Sequence, residues 1–280
     1  MLFSTGIAPL ITDLLIRYPN AEVVGFHVVG VVLAEMPASF EPEALRAQAI
    51  AARTYAFKQC LDSLSHGENT ICTDHSCCQA FIDPRDYISG GGNWNAVQRV
   101  KDAVEDTAGM VLIYGKELIM ATYFSCAGGV TEDAAAVWGQ DVPYLQSVTS
   151  PGEEDTVFFA DSKTYTAEQL QAALGVRLKG PVGKWFGDVT FTEGGGVDTI
   201  VIGGVVYRGT TLRNLLGLRS TAFSVSVADD VVTFHTRGYG HRVGMSQHGA
   251  NAMAKAGKTH GEILCHYYQG TEIVHYSTIE

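Results

Sequence analysis

The stretch from Pro42 to Cys60 constrains the fold most. It carries six alanines between Ala44 and Ala56. Pro42 suits the first position of a helix, where its missing N–H costs nothing. Leu45, Ala49, Ala52 and Ala56 then fall on one small-residue stripe, while Arg46, Ile50, Arg53 and Phe57 share a second. Side chains this small on the first stripe would let another element approach closely.

Residues 23–35 are almost wholly apolar, and periodicity cannot choose between a helix and a buried strand. Pro37 disfavours helical geometry at Met36, so a helix would end close to Glu35. Residues 66–100 are rich in Gly, Asn, Asp, Ser and Cys and read as loop, followed by a short helix around Val97–Val104. Val111–Tyr114 and Leu118–Phe124 read as a hairpin through Gly115-Lys116. Thr166 and Gln169 form a capping box for a helix to Leu174. Val189–Thr192, Thr199–Ile202 and Val205–Arg208 read as strands, the last two joined at Gly203-Gly204. Thr210 or Thr211 caps a helix that Gly217 stops, and Ala222–Val227 and Val231–Thr236 form a hairpin through Asp229-Asp230. A helix from Ser246 to Ala256 follows, then one capped by Thr259 and Glu262, then a strand over Ile273–Tyr276. Hairpins grouped between helices predict an α+β fold. Residues 151–220 read as a small α+β subdomain inserted into a core built from residues 1–150 and 221–280.

The charge balance narrows the partners. With 19 Lys+Arg against 30 Asp+Glu the net charge is −11, and no basic run interrupts it, which argues against nucleic acid. The longest apolar stretch, Val23–Ala34, is shorter than the ~20 residues a membrane helix needs.

Four groups of residues could carry chemistry. Glu35 closes an apolar run, so partial burial and the negative end of a helix would raise its pKa toward that of a general acid. His66, Cys72, His75, Cys77 and Cys78 offer zinc-type ligands within thirteen positions, and the alternatives are a Cys72–Cys78 or Cys60–Cys126 disulfide, or simply buried thiols. Tyr123 to Thr131 reads as a strand ending in Ser125 and then Gly128-Gly129, where backbone amides can approach a ligand. Arg237 to Ala250 is a glycine-rich loop before a helix. It lacks the Lys-Ser/Thr of a phosphate loop but projects His241 and Gln247.

With these residues laid out, the chain resembles the stage II sporulation protein D family of peptidoglycan lytic transglycosylases. Ala34-Glu-Met-Pro-Ala-Ser-Phe with Glu43 to Tyr55, Phe124 to Thr131, Val137-Trp-Gly through Pro143-Tyr144-Leu, and Gly238 to Ala254 carry the likeness. The resemblance implies mixed helices and antiparallel hairpins around a glycan-binding groove, with Glu35 as catalytic acid and base. It implies Arg46, Arg53, Thr131 and Tyr144 as substrate contacts, joined by Tyr123, Ser125, His241 and Gln247 from the loops above. Zinc, structural or site-shaping, would be held by His66, Cys72, Cys77 and Cys78, with His75 as a substitute. The implied substrate is peptidoglycan glycan strands lacking stem peptides, cleaved at the MurNAc–GlcNAc bond during sporulation engulfment. A branch of the family enhances a cell-wall amidase instead. The expected location is extracytoplasmic, at the interface of membrane and wall, with the family's N-terminal anchor trimmed or atypical. Arg242 stands where the family has glycine, and Ala127 replaces a frequent serine.

Overall fold

The computed structural model describes residues 21–62 and 78–279. The fold is α+β, as expected, but the chain divides elsewhere than predicted. One compact unit takes the residues up to Thr122 together with Met253 onward, and the other takes Tyr123–Ala252. Residues after 221 join the insertion because the Phe223–Ala228/Val231–Arg237 hairpin pairs with Ala160–Thr166 and one apolar core spans Leu170 to Phe234. The segment from Tyr123 joins them through its pairing with Met245–Ser246 and the Glu132–Arg242 ion pair.

In the first unit the apolar run is the helix Ala21–Glu35. Every residue from Val28 to Leu33 is buried, so no amphipathic stripe exists for periodicity to detect. The helix ends at Glu35, two residues before Pro37. The second helix, Pro42–Asp62, is buried on both predicted stripes, with Leu45, Ala49, Ile50, Ala52, Ala56 and Phe57 all inside. Trp94–Asp106, capped by Asn93, packs on it through Val97, Val100, Ala103 and Val104. Pro84–Ser89, within the stretch read as loop, is a helix started by Asp83. Met110–Tyr114 pairs with Glu117–Leu118 as expected, but the second arm stops at Leu118. The other edge of Met110–Tyr114 is taken by the C-terminal strand Glu272–His275, antiparallel.

In the second unit Tyr123–Phe124 pairs in parallel with Met245–Ser246, not with the preceding hairpin. Ala160–Thr166 pairs along its whole length with Val231–Arg237, which also pairs with Phe223–Ala228. The Asp229-Asp230 turn holds both residues at positive φ, 51° and 60°, as a tight two-residue hairpin requires. Phe186–Phe191, Val197–Ile202 and Val205–Arg208 make a separate three-stranded sheet. The helix predicted to be capped at Thr210 or Thr211 starts earlier, at Gly209, with Arg208 in the cap position and no side-chain cap. Among the described residues no helix is long and apolar enough to cross a membrane.

Candidate active site

Glu35 is the last residue of the first helix, and its side chain is half-buried. Its Oε1 accepts the Ala80 backbone N–H at 3.1 Å. The neighbouring Gln79 is buried and donates its amide to the Ala52 carbonyl of the second helix at 3.3 Å. Sequence reading missed Gln79 and Ala80, because the loop that carries them gives no periodic signal.

The two arginines of the second helix serve neighbouring protein groups. Arg46 pairs with Glu43 and with Asp106, to which its Nε donates at 3.0 Å. Glu43 also accepts the backbone N–H and Nδ1 of His260, each at 2.7 Å. Arg53 is only 3% exposed and donates to the carbonyls of Thr107 at 2.8 Å, Met110 at 3.0 Å and Val104 at 3.2 Å. Burial lowers its pKa to about 10, which leaves it charged at neutral pH. It closes the C-terminal end of the Trp94–Asp106 helix, whose last carbonyls have no partner within the helix. A cleft of about 680 Å³ in the same unit is lined by Phe26, Arg53, Phe57, Trp94 and Tyr276, and Glu35 is not among its walls.

The remaining candidates lie in the second unit. The turn after Phe124 places Gly128 and Gly129 at φ 70° and 103°. The buried Glu153 carboxylate accepts the N–H groups of Ala127 at 3.0 Å and Gly129 at 3.1 Å, and the Ser246 hydroxyl. Glu153 gave no sequence signal, since nothing local marks one acid among thirty. Ser125 and Tyr123 are half-buried, and the Ser125 carbonyl accepts the His248 N–H at 3.0 Å. Thr131 is fully buried, and its hydroxyl exchanges hydrogen bonds with Val148. Tyr144 is half-buried.

His241 lies between Phe124 and Trp138, each ring centroid 5.4 Å away. Its Nε2 donates to the Tyr123 carbonyl at 3.1 Å, and its Nδ1 accepts the Val243 N–H at 3.1 Å. Burial, helped by the Arg213 charge, pushes its pKa down to about 4. It is therefore a neutral ring with both nitrogens engaged, suited to presenting a face. Gln247 is buried, and its amide nitrogen has no hydrogen-bond partner among the described residues. Arg242 occupies its expected-glycine position at φ 66°.

Of the proposed zinc ligands, His66, Cys72 and Cys77, and the substitute His75, lie outside the described residues; Cys78 is described and half-buried. Among the described residues no three His, Cys, Asp or Glu side chains cluster for a metal. Cys60 and Cys126 are both free thiols, so the Cys60–Cys126 disulfide is not formed. Burial raises both, Cys126 to about 12 with the Glu153 charge adding to the effect.

A family model described as "Stage II sporulation protein" matches residues 24–114, the segment holding Glu35, Arg46 and Arg53. Over 253 residues the chain is 41% identical to "Stage II sporulation protein D" of Bacillus subtilis (strain 168), covering 88% of this chain and 73% of that protein. The chain belongs to the stage II sporulation protein D family. A second member, from Bacillus amyloliquefaciens, is 38% identical over 252 residues, again 88% of this chain and 73% of the relative. The "Amidase enhancer" of Bacillus subtilis (strain 168) is 30% identical over 304 residues, covering 88% of this chain and 40% of that protein. The family's sporulation name agrees with the resemblance drawn from the Glu35 and Gly238–Ala254 segments.

Proposed function

We propose that this member of the stage II sporulation protein D family is a lytic transglycosylase of peptidoglycan glycan strands lacking stem peptides. The observation that carries the reading is Glu35: a half-buried carboxyl at the end of an apolar helix, whose Oε1 accepts the Ala80 backbone N–H at 3.1 Å. In the proposed reaction Glu35 gives its proton to the glycosidic oxygen as the C–O bond breaks. The carboxylate then takes the proton of the muramic 6-hydroxyl as that oxygen bonds to the anomeric carbon. The product is a 1,6-anhydro end, and no water is consumed. One carboxyl suffices for both steps, whereas glycoside hydrolases usually need two.

Within the second unit His241 and Trp138 have ring faces of the kind that suit sugar, and Tyr123, Ser125, Tyr144 and Gln247 have polar groups that would bind it. Within the first unit Arg46 would be the polar contact. Thr131 and Arg53 would act from within the fold. His66, Cys72, Cys77 and Cys78 are the residues that would hold zinc, since imidazole nitrogen and thiolate sulfur are the donors it prefers. The proposed setting is the extracytoplasmic cell wall during sporulation.

Mass spectrometry of products from purified glycan strands tests the reading, because anhydro and reducing ends differ by one water. The parent chain should release anhydro ends, and Glu35→Gln should lower the rate by about 10²–10⁴ with the fold intact. Undiminished release by the folded variant would overturn it. The name of the 30% identical relative favours a second reading, a wall-binding protein that enhances an amidase. Glycan binding without cleavage, together with stimulation of an added amidase, would select it.

A further inference from the structure

We propose that residues Gln79–Ile82 form a strap that positions the Glu35 carboxyl, with Gly30 and Gln79 as positioning residues; the inference rests on the transglycosylase reading above. Four contacts define the strap. Gln79 Nε2 donates to the Ala52 carbonyl at 3.3 Å, which ties its start to the second helix. The Ala80 N–H holds Glu35 Oε1 at 3.1 Å. The Phe81 ring sits in a notch on the first helix at Gly30, stacked on the His27 ring with centroids 5.6 Å apart and planes 9° apart. The Ile82 N–H then donates to the Gly30 carbonyl at 3.1 Å. Immediately beyond, Asp83 caps the Pro84–Ser89 helix and fixes the strap's far end.

The notch exists only because residue 30 has no side chain. A Cβ there would lie 2.2 Å from the Phe81 ring and 2.9 Å from the Ile82 carbonyl oxygen. The ring could swing aside, but the backbone oxygen could not move without the strap. Glycine in a helix interior is otherwise unfavourable by about 1 kcal/mol against alanine. Here it permits the approach that brings the Ala80 N–H to the carboxylate. A carboxyl that must deliver and then accept a proton depends on its orientation, and a displacement of about 1 Å can cost on the order of 10²-fold in rate.

The test compares Gly30→Ala and Gln79→Ala with Gly25→Ala, whose Cβ would meet nothing within 4 Å. Turnover on glycan strands, KM, melting temperature and hydrogen exchange at the Ala80 amide are measured for each. Both strap variants should lose about 10–100-fold in kcat with KM within about twofold. Their Ala80 amide should exchange faster, and they should melt within a few degrees of Gly25→Ala. Turnover equal to that of Gly25→Ala in either variant would overturn the strap while leaving the enzyme reading intact. A collapse of melting temperature in both variants would also overturn it, since the residues would then be structural only. A parent chain that releases no anhydro ends would instead sink the enzyme reading, and the strap with it.

Discussion

Arg242 donates to Glu132 at 2.9 Å in the interior of the second unit, with neither side chain more than 2% exposed. The same guanidinium donates to the carbonyls of Ala127 at 2.8 Å, Val130 at 2.7 Å and Gly194 at 2.9 Å. One side chain therefore braces the Gly128-Gly129 turn against the Thr192–Gly196 turn, where Thr192 also reaches Glu132 at 3.0 Å.

This geometry predicts the outcome of placing a glycine at position 242. Arg242→Gly frees a backbone at φ 66°, which is worth about 1–2 kcal/mol. It also strands a buried carboxylate, and breaking such a pair costs about 3–5 kcal/mol. The net expectation is a loss of about 1–4 kcal/mol, measured by urea denaturation. A variant as stable as the parent would show that the brace contributes nothing.

Arg53 gives a second prediction. Replacing it by Met keeps the apolar stem but leaves the carbonyls of Val104, Thr107 and Met110 without their donor. Stability should fall by about 2–4 kcal/mol, while glycan binding by the folded fraction stays unchanged. Lost binding at full stability would instead make Arg53 a ligand contact.

His241 makes stability depend on pH. Its folded pKa of about 4 lies below the 6.5 of a free histidine, so between these values only the unfolded chain takes up the proton. The contribution is complete above about pH 6.5 and is lost as pH falls toward 4. It amounts to about 3 kcal/mol at most. Denaturation curves at pH 7.5 and 4.5 should show a smaller loss for His241→Phe than for the parent; an equal loss would place the acid sensitivity elsewhere.

The zinc proposal is tested by metal analysis and chelation. About one zinc per chain is expected, and chelation should lower the melting temperature before it lowers turnover if the ion is structural. Cys72→Ser should do the same. Metal-free protein with an unchanged melting temperature would remove zinc from the account.

Particular residues show how far the sequence could be read. Glu35 stood out because an apolar run and Pro37 mark the end of a helix locally. Its partner Ala80 did not, because a backbone N–H has no sequence signature and the contact joins distant positions. Arg46 and Arg53 were correctly placed on one helix, yet their partners, Asp106 and the carbonyls from Val104 to Met110, depend on which helix packs there. Glu132 and Glu153 look like any other acids until the fold buries them.

The sequence by itself determined the features set within a turn or two of chain. The capping boxes at Thr166 and Thr259, the stop before Pro37 and the Asp229-Asp230 turn are each decided by neighbours a few residues away. Only tertiary structure decided that Glu272–His275 closes on Met110–Ile113, that Ala160–Thr166 pairs with Val231–Arg237, and that Gln79–Ile82 lies along Gly30. Those contacts form between segments with no local preference for each other. They are selected by the apolar surface and the backbone hydrogen bonds that the whole chain must satisfy together.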